Sequence, residues 1–98
     1  MAGSDRALVS VSLPDHVMHR EVLDEAVMLN TETERYTGLD TVGVAMLNAL
    51  TTSPSIDAAV DLLVAEYEVE RDVVAADVDN FVDDLLARGL IVVDDLAA

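Results

Sequence analysis

Cysteine and lysine are both missing from this sequence. Without cysteine there is no disulfide framework, no thiolate metal site and no thiol nucleophile. With lysine also absent and no G-x-S-x-G elbow, nothing supplies an activated nucleophile, so enzyme activity has little to stand on. No stretch approaches the ~20 apolar residues that a membrane span needs, and the start, MAGSDRALVSVSLPDH, lacks the basic-then-apolar order of an export signal. A soluble cytoplasmic protein is the expectation. Positive charge is scarce: five arginines face twenty acidic residues, for a formal charge of −15. Such a field repels phosphate backbones and anionic membranes, which argues against nucleic-acid and membrane partners. From Asp57 onward twelve carboxylates face only Arg71 and Arg88, leaving −10 in that half. Two readings of this excess stand side by side, attraction of a basic partner and simple solubility.

What is present is a chain of 98 residues, 52% hydrophobic, enough to close one core and hardly two. Leu8–Leu13 alternates Val9, Val11 and Leu13 with Ser10 and Ser12, the period of a half-buried strand. Pro14-Asp15 breaks the run, and His16–Leu23 reads either as a second short strand or as an irregular connection. Ala26–Leu29 reads as a strand, Asn30–Thr33 as a polar turn and Glu34–Leu39 as the return strand, with Gly38 ending it or easing a close approach. A free strand edge so close to helices offers a surface on which another chain can lie as an added strand, which makes peptide binding the leading idea.

Asp40 is placed to cap a helix over about Thr41–Thr51, with Val42, Ala45, Met46, Ala49 and Leu50 on its buried face and Gly43 allowing close packing. TTSPS marks the break, with Ser53 or Ser55 as the next cap. Ile56, Ala59, Val60, Leu63 and Val64 carry the helical period to Tyr67. A polar joint, Glu68–Asp72, leads to a third helix over about Val73–Arg88, closed by Gly89. Its apolar side chains, Val74, Val78, Phe81, Val82, Leu85 and Leu86, fill an arc of roughly 140°. That arc is wider than a minimal core stripe, so either one edge lines a groove or the whole arc is core. Asp77 and Asp84 border one side. Leu90–Val93 reads as a short apolar strand or tail.

Three strands followed by three helices, the last two joined by a short turn, give an α+β fold: a small winged helix-turn-helix with an N-terminal three-stranded antiparallel sheet. The order L-N-x-E-T-x-R-Y-x-G-L-D from Leu29 to Asp40, the apolar helix after Asp40, A-E-Y-x-V at Ala65–Val69 and L-L-A-R-G-L-I at the end resembles the family of the coenzyme PQQ synthesis protein D. Its members are also called precursor-peptide recognition elements. The resemblance covers about Ala26–Val93. It implies a non-catalytic module, without cofactor or metal, that binds the leader segment of a ribosomally made precursor peptide and hands it to a separate modifying enzyme, a lasso-peptide protease or cyclase or a radical-type maturase. It also implies that the leader adds as a strand along Arg35, Tyr36, Thr37, Gly38 and Leu39. The facing helix residues would then be drawn from Val74, Asp77, Val78, Phe81, Val82 and Leu85. Acidic borders at Asp77 and Asp84 favour a leader carrying lysine or arginine. Residues 1–7 read as a flexible N-terminus, 8–93 as a single domain and 94–98 as a tail, the whole a monomer or weak dimer. T-E-T in the turn, where relatives carry tighter glycine turns, leaves the hairpin register open by one residue.

Rival readings are weaker. A DNA-reading helix needs Lys and Arg, and the third helix offers only Arg88. An acyl-carrier protein is also small, acidic and helical, and Gly38-Leu39-Asp40-Thr41 superficially resembles its prosthetic-group segment. Threonine replaces the required serine, however, and a strand pair just upstream is foreign to that fold. His16 and His19, three apart, read as surface histidines and not as a metal site. Tyr36 reads as a peptide contact or as a strand residue packed on the core, and Tyr67 as an anchor at the end of the second helix. Met18, Met28 and Met46 read as core filling.

Overall fold

The computed structural model describes residues 9–95. Five strands and three helices follow in the order β1 Val9–Ser12, β2 Val17–Val22, β3 Glu25–Asn30, β4 Arg35–Leu39, α1 Thr41–Thr52, α2 Ile56–Tyr67, α3 Arg71–Ala87 and β5 Val92–Asp95. The expected flexible segment 1–7, Leu8 of the first strand and residues 96–98 of the tail lie outside the described residues.

The three-stranded sheet has the order β2-β3-β4 and is antiparallel throughout. Its membership is not quite the expected one. His16–Leu23, open on sequence, supplies β2. The alternating Val9–Ser12 leaves this sheet and pairs antiparallel with β5, with Val11 opposite Val93. Periodicity shows that a segment is a strand but not which strand it pairs with, and here the partner is some 80 residues away. Asp94 and Asp95, read as tail, complete β5.

The T-E-T loop settles the register with Asn30 opposite Arg35, Met28 opposite Thr37 and Ala26 opposite Leu39. Glu34 turns the corner at φ 60, and its amide donates to the Asn30 carbonyl at 2.7 Å. Ala26, Met28 and Leu39 face the helices and are buried.

The caps are local. Asp40 Oδ1 accepts from the Gly43 amide at 2.8 Å and starts α1, and Ser55 Oγ accepts from the Ala58 amide at 3.1 Å and starts α2. Gly43 lets α1 close on the end of β4: a Cβ there would stand 3.3 Å from Leu39 Cβ. The buried side of α1 keeps Ala49 and Leu50 as expected but is turned towards Leu47 and away from Val42. Gly43, Leu47, Ala49 and Leu50 are enclosed, whereas Val42 is 58% exposed. α2 buries Ile56, Ala59, Val60 and Leu63 as its period implies. α3 begins at Arg71, two residues before its expected start. Its guanidinium spans Asp57 and Asp61 of α2 at 2.6 and 2.9 Å. The hydrogen bonds to Asp57 and then Asp61 hold it above the ordinary arginine pKa.

Candidate functional site

The end of α3 is laced to the hairpin by two polar side chains. Asn30 is 3% exposed. Its Oδ1 accepts from the amides of Glu32 and Thr33 at 3.0 and 3.3 Å, and its Nδ2 donates to the Arg88 carbonyl at 3.0 Å. One amide therefore shapes the β3–β4 loop and satisfies a helix-end carbonyl. His16 Nε2 donates to the Gly89 carbonyl at 2.9 Å, while the His16 carbonyl accepts from the Thr31 amide and hydroxyl, each at 2.8 Å. His16, read on sequence as a surface histidine, is thus a tether; its side chain is 28% exposed. These bonds fix the distance between the C-terminal half of α3 and β4.

Between β4 and α3 runs a trough. Its middle is a hollow of about 450 Å³ lined by Thr37–Asp40, Val42, Gly43, Met46, Phe81, Asp84 and Arg88. At the N-terminal end of α3 it meets an apolar pocket of about 200 Å³ formed by Val42, Ala45, Met46, Leu63, Tyr67, Val69, Val74 and Asp77. At the other end, Arg35, Tyr36, Thr37, Ala87 and Arg88 border a further hollow of about 460 Å³. Shared residues join the three: Val42 and Met46 at one junction, Thr37 and Arg88 at the other.

The helical wall is a single stripe. Val74, Asp77, Phe81, Asp84 and Arg88 recur every three or four residues and fall within about 80° of arc. The neighbouring stripe is core, with Val78 and Val82 at 0% exposure and Leu85 at 1%. So the wide apolar arc read from the sequence divides. Val74, Asp77 and Phe81 face the trough, while Val78, Val82 and Leu85, assigned to the same face on sequence, are enclosed and hold the helix in place.

The opposite wall is β4, an edge strand whose outer side no described strand occupies. Arg35, Thr37 and Leu39 register with inward-facing Asn30, Met28 and Ala26, so they share the helix side. Tyr36 and Gly38 register with Leu29 and Val27 on the other face. Tyr36 is 71% exposed and is not packed on the core, and Gly38 has open space where a Cβ would stand. It therefore serves no close approach within the chain. The other edge, β2, is guarded by His19, Arg20 and Glu21.

Val42, Met46 and Arg88 were missed as lining residues. The 74–77–81–84–88 spacing pointed to Arg88, but nothing local marked Val42 and Met46, because their exposure depends on where α1 meets the sheet. Charge is graded along the trough: Asp40 and Asp77 stand towards the apolar pocket, Asp84 is paired with Arg88 at 3.1 Å, and Arg35 marks the far end. Among the described residues no group of three His, Cys, Asp or Glu is placed to hold a metal, and no helix is long and apolar enough to cross a membrane.

Residues 25–91 match the family described as coenzyme PQQ synthesis protein D (PqqD). The chain belongs to the PqqD family. A solved structure described as TbiB1 in complex with the TbiA(beta) leader peptide is similar to this PqqD-family chain with 32% identity and a TM-score of 0.76, over 82% of this chain and 93% of that one. A second, described as lasso peptide synthetase B1 complexed with the leader peptide, shares the fold with a TM-score of 0.76 at 22% identity, over 85% and 98% of the two chains. No curated protein sequence matches significantly. An acyl-carrier reading gains no support, since the segment that suggested it lies partly in β4, with Thr41 opening α1.

Proposed function

We propose that this chain is a non-catalytic binding module that captures the leader segment of a ribosomally made precursor peptide by strand addition along β4 and delivers it to a separately encoded modifying enzyme. The observation that carries this reading is the unoccupied edge of β4 walled by the Val74–Arg88 stripe of α3. Backbone bonds along Arg35–Leu39 supply affinity with little demand on sequence, and side chains in the trough choose among peptides. The likeness to two solved leader-peptide complexes supports the same reading and favours a lasso-type pathway. Asp40 and Asp77 favour a basic leader residue at the apolar end. The module acts by raising the effective concentration of substrate at the enzyme and needs no chemistry of its own.

Backbone-amide NMR during titration with the synthetic leader of the neighbouring precursor gene tests this. Expected shifts concentrate in Arg35–Leu39 and along Val74–Arg88. Phe81→Ala, at a half-buried ring, weakens binding about tenfold while costing less than the roughly 3–5 kcal/mol of a fully buried one. Gly38→Pro, which removes a backbone donor from the open edge of β4 and has space for the ring, weakens it too. Shifts confined to other faces, or no binding, would sink the proposal.

A further inference from the structure

The apolar pocket at the start of α3 does not close the trough. Ala45 and Tyr67, which line that pocket, also line a second hollow of about 370 Å³. This hollow runs between α1 and α2 and reaches the β2–β3 turn. Its wall on α1 is the stripe Thr41, Ala45, Asn48 and Thr52, roughly 110° round the helix from Val42 and Met46 of the trough. Ala45 lies where the two stripes meet and raises only a methyl group between them.

The second hollow holds apolar surface that the chain leaves open. Leu62 is 48% exposed, Tyr67 45% and Leu23, at the turn, 96%. Leu23 also holds φ 59, in the left-handed region, where glycine suits a tight turn and leucine disfavours its own backbone. Glu21, Asp24 and Glu66 rim the hollow, and none has an ion pair among the described residues. Glu21 registers with Ala26 and so stands on the helix side of the sheet.

The sheet is antiparallel throughout, and a leader strand that continues this pattern runs opposite to β4. Its upstream end then lies at Leu39, beside Asp40 and Val42, and the residues before it meet the apolar pocket, Ala45 and Tyr67.

We propose that the hollow between α1 and α2 is a second leader-binding site. It takes the segment upstream of the added strand, with an apolar residue against Leu23 and Leu62 and lysine or arginine for Glu21, Asp24 and Glu66. The inference deepens the leader-binding reading and rests on it. The occupant is this segment because the hollow is continuous with the trough, and because its uncompensated carboxylates match a basic peptide and repel a second copy charged −15. Engagement of the trough makes the second contact intramolecular, so modest contacts there add to affinity.

The test uses two synthetic peptides from the neighbouring precursor gene: the whole leader, and the shortest N-terminally trimmed form that at saturation still shifts the amides of Arg35–Leu39. Calorimetric titration of the full-length chain is expected to show the whole leader binding at least about tenfold tighter, with a steeper dependence on salt. Glu21→Lys combined with Glu66→Lys, at two exposed positions outside the trough, removes most of that gain while affinity for the trimmed form stays within about twofold. Equal affinities of the two peptides, a leader that tolerates no trimming, or a gain that the double variant keeps overturns the proposal and leaves the leader reading standing. Shifts of Leu23, Leu62 and Glu66 on concentrating the chain alone assign the hollow to a second copy and overturn it as well. No binding by either peptide overturns both readings.

Discussion

Asn30 shows how much one buried amide can organise. Removing it in Asn30→Ala leaves the Glu32 and Thr33 amides and the Arg88 carbonyl without the buried partner that joins them. Urea denaturation should show a loss of about 2–4 kcal/mol, above the usual value for an exposed turn asparagine. A loss under about 1 kcal/mol would mean that water replaces these bonds. Gly89→Ala attacks the same junction from the other side: φ is +70 and a Cβ would stand 2.9 Å from Asn30 Nδ2. It should cost more than about 1 kcal/mol, and combined with Asn30→Ala it should be less than additive, because the obstructing amide is gone. The sequence marked Asn30 as a turn residue and Gly89 as a helix terminator. It could not show that they meet, since hydrogen bonds across 58 residues leave no local trace.

Among the elements, the caps were the most legible because capping is local: a short polar side chain reaches amides two or three residues on. Asp40→Ala and Ser55→Ala should each lower stability by about 0.5–2 kcal/mol by denaturant titration. Only Asp40→Ala should also weaken leader binding, as Asp40 borders the trough and Ser55 does not. Equal effects on binding would remove Asp40 from the site. The buried face of α1 was less legible. Val42, Ala45, Met46, Ala49 and Leu50 satisfy a helical period, but so does the set containing Leu47, and an apolar helix offers several stripes. Packing against sheet and helices chose Leu47 and left Val42 and Met46 to line the trough. α3 divided similarly, its arc being shared between core and groove.

At the scale of the molecule, a formal charge of −15 on 98 residues opposes compaction. Raising sodium chloride from about 20 to about 300 mM should screen this repulsion and stabilise the fold by about 1 kcal/mol, or about 4–8 °C in Tm for a domain of this size. A Tm that falls with salt would show that the few ion pairs, such as Arg71 with Asp57 and Asp61, outweigh the general repulsion.

By itself the sequence determined the α+β class, the hairpin, the three helices, the caps of α1 and α2 and the arc of α3, because periodicity, turn residues and caps act within a few residues of one another. Tertiary structure alone decided that β1 joins β5, that His16–Leu23 completes the sheet, that Asn30 and His16 clamp the end of α3, and which sides of α1 and α3 meet solvent. Those outcomes depend on contacts between segments far apart in the chain, and the trough between β4 and α3 exists only once such contacts have fixed the distance between its walls.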